Sequence, residues 1–159
     1  MEGNIALETL LDQHTCEIRV QRDIREARAA KRELLSLAYR VARRARKNGL
    51  AGRTITLKVK YRDFTQITRS ETIPEPTDDG REIYSVACSL LRKTEVGERP
   101  VRLLGIGLSQ IEQAAGKQLP LFRNREDHSR RKDLNKALDS LHEKFGERGI
   151  FPGTLLDKE

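Results

Sequence analysis

In the stretch Arg53-Thr54-Ile55-Thr56-Leu57-Lys58-Val59-Lys60-Tyr61-Arg62, apolar and polar side chains alternate without a break from Thr54 onward. That period of two sets Ile55, Leu57, Val59 and Tyr61 on one side of a strand and Thr54, Thr56, Lys58, Lys60 and Arg62 on the other. Such a strand buries one face and shows the other to water, and here the outer face is strongly basic. Asp63 and Phe64 lead into a second β-prone run, Thr65 to Ile73, rich in Thr and Ile and expected to stop at Pro74-Glu75-Pro76.

Outward from this pair the period changes. From Asp23 to Lys47, Ile24, Ala27, Leu34, Ala38, Val41 and Ala45 recur at the spacing of a helix with one buried stripe, ended by Asn48-Gly49. The opposite face is crowded with Arg25, Arg28, Arg32, Arg40, Arg43, Arg44 and Lys47, a run that ordinarily makes only a solvated face. Downstream, Thr77, Asp78 and Asp79 offer capping oxygens to a helix whose apolar side is Ile83, Val86, Ala87, Leu90 and Leu91. Val101 to Leu108 reads as a strand in which Gly105 and Gly107 have the parity opposite to Leu104, Ile106 and Leu108, and Ile5 to Leu11 reads as a first strand. The order strand, helix, strand, strand, helix, strand predicts an α+β fold: a four-stranded antiparallel sheet with two helices on one face and the other face open. Outward-facing glycines there would let a phosphate approach the backbone closely, or would simply mark bulges. After a polar stretch, Leu134, Ala137, Leu138, Leu141 and Phe145 predict a helix in a C-terminal tail, with a stripe of the kind that usually packs on its own chain.

Composition narrows the function. The 159 residues carry 31 Lys and Arg against 24 Asp and Glu, a formal net charge of +7 that favours an anionic partner, nucleic acid first. No apolar run approaches the roughly 20 residues of a spanning helix and no signal peptide opens the chain, so a soluble, cytoplasmic protein is expected. Cys16 and Cys88 lack the spacing of a zinc site or a disulfide framework and read as ordinary thiols. Asp78-Asp79 is explained by capping, Gly105-Ile106-Gly107 lacks the third glycine of a dinucleotide fingerprint, and His14, His128 and His142 gather no metal-binding set. No catalytic residue and no cofactor is expected.

Several blocks in order resemble one family. Gly49 to Lys58, Asp63-Phe64-Thr65, Thr68-Arg69-Ser70, Pro74 to Asp79 and Arg99 to Ile106 are similar to the little-finger domain of Y-family translesion polymerases of the bacterial DNA polymerase IV type. Gln118-Leu119-Pro120-Leu121-Phe122 looks like the pentapeptide with which such polymerases dock on the sliding clamp, and Ala137 to Gly146 with Gly153 to Leu156 resembles their C-terminal segments. Physically, Gln118 suits a pocket rim while Leu119, Leu121 and Phe122 suit an apolar pocket.

The resemblance implies a little-finger domain over residues 1–110, a linker over 111–117, a clamp motif at 118–122 and a charged tail over 123–159. It implies a chain that grips primer-template DNA by its backbone beside the rest of the polymerase and docks on the bacterial clamp, without polymerising DNA itself. The Mg2+ of the full enzyme would be held by palm acids that have no counterpart in this sequence. Thr68, Arg69, Ser70, Arg102 and the backbone at Gly105 and Gly107 would contact phosphates, joined by Arg53, Thr56, Lys58 and Lys60 of the basic strand. Two alternatives stay open: an inactive polymerase-like accessory protein, and an RNA-binding α+β module. The latter would stack bases on sheet aromatics, where this sequence offers Thr, Lys and Arg.

Overall fold

The alternation that begins at Thr54 forms the centre of strand β3 (Leu50–Tyr61), in which Ile55, Leu57, Val59 and Tyr61 are all fully buried. The computed structural model describes residues 7–11, 15–113 and 125–146. The other elements are β1 (Leu7–Leu11), β2 (Thr15–Ile24), α1 (Ala27–Lys47), β4 (Gln66–Thr77), α2 (Gly80–Leu91), β5 (Val101–Gln113) and α3 (Arg125–Phe145). The chain divides into two units, Met1–Ala114 with the sheet, α1 and α2, and Ala115–Glu159 with α3.

The sheet has five strands in the order β1-β2-β5-β3-β4, every neighbouring pair antiparallel, where the sequence predicts four. The additional strand is β2. Its register against β5 shifts between Gln21 and Ile24, and that irregularity breaks the alternation by which a strand is recognised. Ile24, expected as the first apolar residue of a helix, is instead a buried strand residue opposite Val101, and α1 begins only at Ala27. β4 is the other correction. It runs through Pro74 and Pro76 to Thr77, because an edge strand tolerates the missing N–H of proline on its unpaired side.

Both helices cover one face of this sheet. α1 turns Leu34, Leu37, Val41 and four alanines into a core shared with Ile83, Ala87 and Leu90 of α2 and with Leu57, Val59, Leu104 and Ile106 of the sheet. Alanines and Gly80 let the two helices approach closely; a Cβ added at Gly80 would lie 3.0 Å from the Tyr39 ring. α1 ends as its sequence predicts, with Gly49 at φ 65° and the Asn48 side chain donating to the Arg44 carbonyl at 2.8 Å. At the start of α2, Asp79 accepts from the Arg81 N–H at 3.0 Å while the Thr77 hydroxyl donates to Glu82 at 2.8 Å, so Asp79 is the residue of the acidic pair that caps the helix.

In the second unit α3 starts inside the charged stretch, at Arg125. Along its apolar stripe Leu134 and Phe145 are 58% and 63% exposed.

Candidate nucleic-acid interface

Antiparallel pairing places directly opposed residues on the same side of a sheet, so the register writes out the face that α1 and α2 leave open. Thr72 lies opposite Thr54 and Thr54 opposite Ser109; Ser70 lies opposite Thr56 and Thr56 opposite Gly107. In the next two rows Thr68 faces Lys58 and Lys58 faces Gly105, then Gln66 faces Lys60 and Lys60 faces Leu103. Hydroxyls knit the β3–β4 side of this surface, Thr54 Oγ1 to Thr72 Oγ1 and Thr56 Oγ1 to Ser70 Oγ, each at 2.9 Å. These four rows hold hydroxyls, amines and glycines, with Gln66 and Leu103 in the last, and no aromatic ring.

Seven of the residues expected at the site are therefore brought together here: Thr56, Lys58, Lys60, Thr68, Ser70, Gly105 and Gly107. Arg102 joins at one end. The register slips between Lys60 and Tyr61, so Arg102 is the residue passed over, and its guanidinium lies 4.5 Å from the centroid of the Phe64 ring. Lys60 Nζ lies 5.4 Å from the same centroid. Phe64 occupies the β3–β4 turn at φ 71°, 61% exposed, with its N–H donating to the Tyr61 carbonyl at 2.9 Å.

Two expected residues fall elsewhere. Arg69 pairs with Leu57, which puts it on the helix-bearing side, and its guanidinium donates to the Thr68 carbonyl at 2.8 Å. Adjacent residues of a strand point to opposite faces, so Thr68, Arg69 and Ser70 cannot act as one cluster on one surface. Arg53 sits where the register shifts between Gly52 and Thr54, and its Nε donates to the Ile73 carbonyl at 3.4 Å. The backbone at Gly105 is also less open than its sequence suggests. The space a Cβ would take there is filled by the stem of Arg19, whose Cγ would lie at 2.8 Å. The clamp-motif residues Gln118, Leu119, Leu121 and Phe122 lie outside the described residues.

Arg19 and Phe64 are the members of the site that the sequence reading passed over. Arg19 was hidden with β2, although the Ile18-Arg19-Val20 alternation carries its signal, and Phe64 reads only as part of a turn. Beside the turn, the Arg99 guanidinium is paired with the carboxylates of both Asp63 and Glu95. Hydrogen bonds from Thr65, above all its backbone N–H at 3.0 Å, hold the Asp63 carboxyl below the usual 3.8, and Arg99 adds to the effect. Arg99 in turn is kept charged by hydrogen bonds to Glu95 and Asp63, while its guanidinium lies 4.1 Å from the Tyr61 ring centroid. Among the described residues no three His, Cys, Asp or Glu side chains gather to hold a metal, and no helix is long and apolar enough to cross a membrane.

A family model described as the impB/mucB/samB family C-terminal domain matches residues 12–121. The DNA polymerase IV of Desulfatibacillum aliphaticivorans is 44% identical over 141 residues, covering 88% of this chain and 36% of that protein. That of Moorella thermoacetica is 37% identical over 140 residues, covering 88% and 34%. The chain thus spans about a third of the length of these relatives. Among solved structures, a complex of the beta-clamp processivity factor with the little finger domain of PolIV superposes with a TM-score of 0.52 at 22% identity, over 69% of this chain and all of that one. A Y-family DNA polymerase chimera gives 0.50 at 18% identity, over 64% of this chain and 29% of that one.

Proposed function

The chain belongs to the impB/mucB/samB family through its C-terminal domain and has the little-finger fold; from that premise we propose that it is the DNA-gripping and clamp-docking part of a translesion DNA polymerase. The open sheet face carries the reading. It offers Lys58, Lys60 and Arg102 with a ladder of hydroxyls, groups that bind phosphate oxygens, and its strand rows carry no aromatic ring for unstacked bases, Phe64 lying in the turn with its ring beside two cations. A surface of this chemistry holds a duplex by its backbone and ignores sequence, as a polymerase copying any template requires. Polymerisation would belong to the rest of the protein, and this chain would serve it by positioning primer-template DNA. Gln118 to Phe122 would dock on a sliding clamp, with Leu121 and Phe122 as the apolar anchors.

The test is binding of the chain to a primer-template duplex and, separately, to bacterial sliding clamp, each repeated with Leu121→Ala and Phe122→Ala together. The proposal expects clamp binding to be lost and DNA binding kept. Failure of the unmutated chain to bind the clamp removes the docking half, and equal affinity for duplex DNA and for a neutral polymer removes the other. Replacement of Lys58 and Lys60 by glutamine is expected to weaken duplex binding, which locates it on the sheet.

A further inference from the structure

The helix on the far side of the sheet carries as much charge as the whole protein. Within its 21 residues α1 has eight Lys and Arg and a single acid, Glu33, a balance of +7 that equals the formal net charge of the entire chain. This is segregation and not composition alone. α3, also 21 residues long, sets six basic residues against five acidic ones.

The segregation is also directional. At 100° per residue, Leu34, Leu37 and Val41 fall on one side of α1 and are buried against the sheet and α2, while Arg28, Arg32, Arg40, Arg43 and Lys47 fall on the other and Arg44 lies at the border between the two. Arg28, Arg44 and Lys47 are exposed and Arg40 is half-buried. They make a row along a helix about 30 Å long.

Folding alone does not favour this arrangement. Arg28 with Arg32, Arg40 with Arg44, and Arg43 with Lys47 are like-charge pairs at i,i+4, which repel along a helix surface. The helix dipole accounts for the cations of the last turn, Arg44, Arg46 and Lys47, but not for Arg28, which sits in a first turn that holds no acid. A row of cations maintained against its own repulsion is stabilised when a linear polyanion lies along it. Duplex DNA presents one negative charge per roughly 1.7 Å of axis, a density that an acidic peptide segment of the same length does not reach on one side.

We propose that the outward face of α1 is a second DNA-binding surface, taking the phosphate backbone of a duplex segment other than the one held on the open sheet face. The two surfaces lie on opposite sides of the first unit, since α1 packs on the sheet face that the β3–β5 rows leave behind. One straight duplex cannot reach both, so the domain can hold two segments at once. The idea of two segments rests on the sheet face being the first site; binding to α1 does not.

The experiment uses this chain with two short duplexes carrying donor and acceptor dyes, at low salt, and reads energy transfer between them alongside the affinity for one duplex. Three proteins are compared: the unmutated chain, a helix variant with Arg28, Arg40, Arg44 and Lys47 changed to glutamine, and a sheet variant with Lys58→Gln and Lys60→Gln. Helix content and melting temperature by circular dichroism are checked first, so that a loss of binding is read only from folded variants.

The proposal expects energy transfer with the unmutated chain and its loss in the helix variant, with the salt slope of binding reduced by about 0.9 for each phosphate contact removed. Energy transfer and salt slope both unchanged in the helix variant overturn the proposal, as does a stoichiometry of one duplex per unmutated chain at saturation. Loss of all binding in the helix variant with none in the sheet variant supports the α1 surface and instead refutes the sheet as the DNA site. Binding of polyglutamate to the α1 row in preference to duplex DNA overturns the proposal in favour of an acidic protein partner.

Discussion

At the scale of single residues, the turn between β3 and β4 shows how one local conformation sets up a binding surface. Phe64 adopts φ 71°, unusual for a residue with a Cβ, and the turn hydrogen bonds from Phe64 and Thr65 hold it there. The ring so displayed lies beside both Lys60 and Arg102. Phe64→Ala is expected to leave the fold intact and weaken duplex binding about threefold by releasing two cations whose contact with an exposed ring is worth about 0.5–1 kcal/mol. Phe64→Tyr should restore it, as titration of a labelled duplex will show. Asp63 gives a prediction in pH. Its carboxyl is held below 3.8 in the folded protein, so its contribution to stability is present above the unfolded value of 3.8 and is lost as pH falls through the lower, folded one. Carbon NMR should place the Asp63 titration below that of an unperturbed aspartate, and in Asp63→Asn the matching part of the acid destabilisation should vanish.

At the scale of elements, packing is decided by where side chains are large and where they are absent. Leu57 is 1% exposed at the centre of β3 between β4 and β5, so Leu57→Ala should cost about 2–5 kcal/mol in urea unfolding, the range for buried leucines truncated in well-packed cores. Gly52 makes the opposite point. A Cβ there would meet Leu108 Cγ at 2.5 Å and the Ser109 carbonyl at 2.9 Å, at the position where β3 shifts register. Gly52→Ala is expected to destabilise by about 1–3 kcal/mol through overpacking, and the melting temperature will report it. At the start of α2, Asp79→Ala removes an N-cap and should cost about 1 kcal/mol by the same measurement.

At the scale of the whole molecule, charge separates the possible modes of DNA binding. If the sheet holds a duplex through phosphates, the logarithm of affinity should fall linearly with the logarithm of salt, by about 0.9 per phosphate neutralised, and should not change with base sequence. Filter binding across a salt series checks this, and a slope near zero would mean that the basic face is not the contact.

The sequence by itself determined the elements whose periodicity is unbroken and whose ends are chemically marked. The alternation around Leu57 gave β3 and its basic side, the stripe from Leu34 to Ala45 and Gly49 gave α1, and Asp79 gave the start of α2. The parity of Gly105 and Gly107 also placed them on the open face. Only the tertiary structure decided what depends on neighbours in space. β2 exists as a strand despite its irregular register because β1 and β5 pair with it on both sides. β4 continues past two prolines because, among the described residues, no strand pairs with its outer edge. Arg69 leaves the site because antiparallel register assigns it to Leu57, and Arg19 enters it because its stem fills the gap at Gly105. Periodicity is a local property of the chain, whereas register, edge position and the space above a glycine are set by strands distant in sequence.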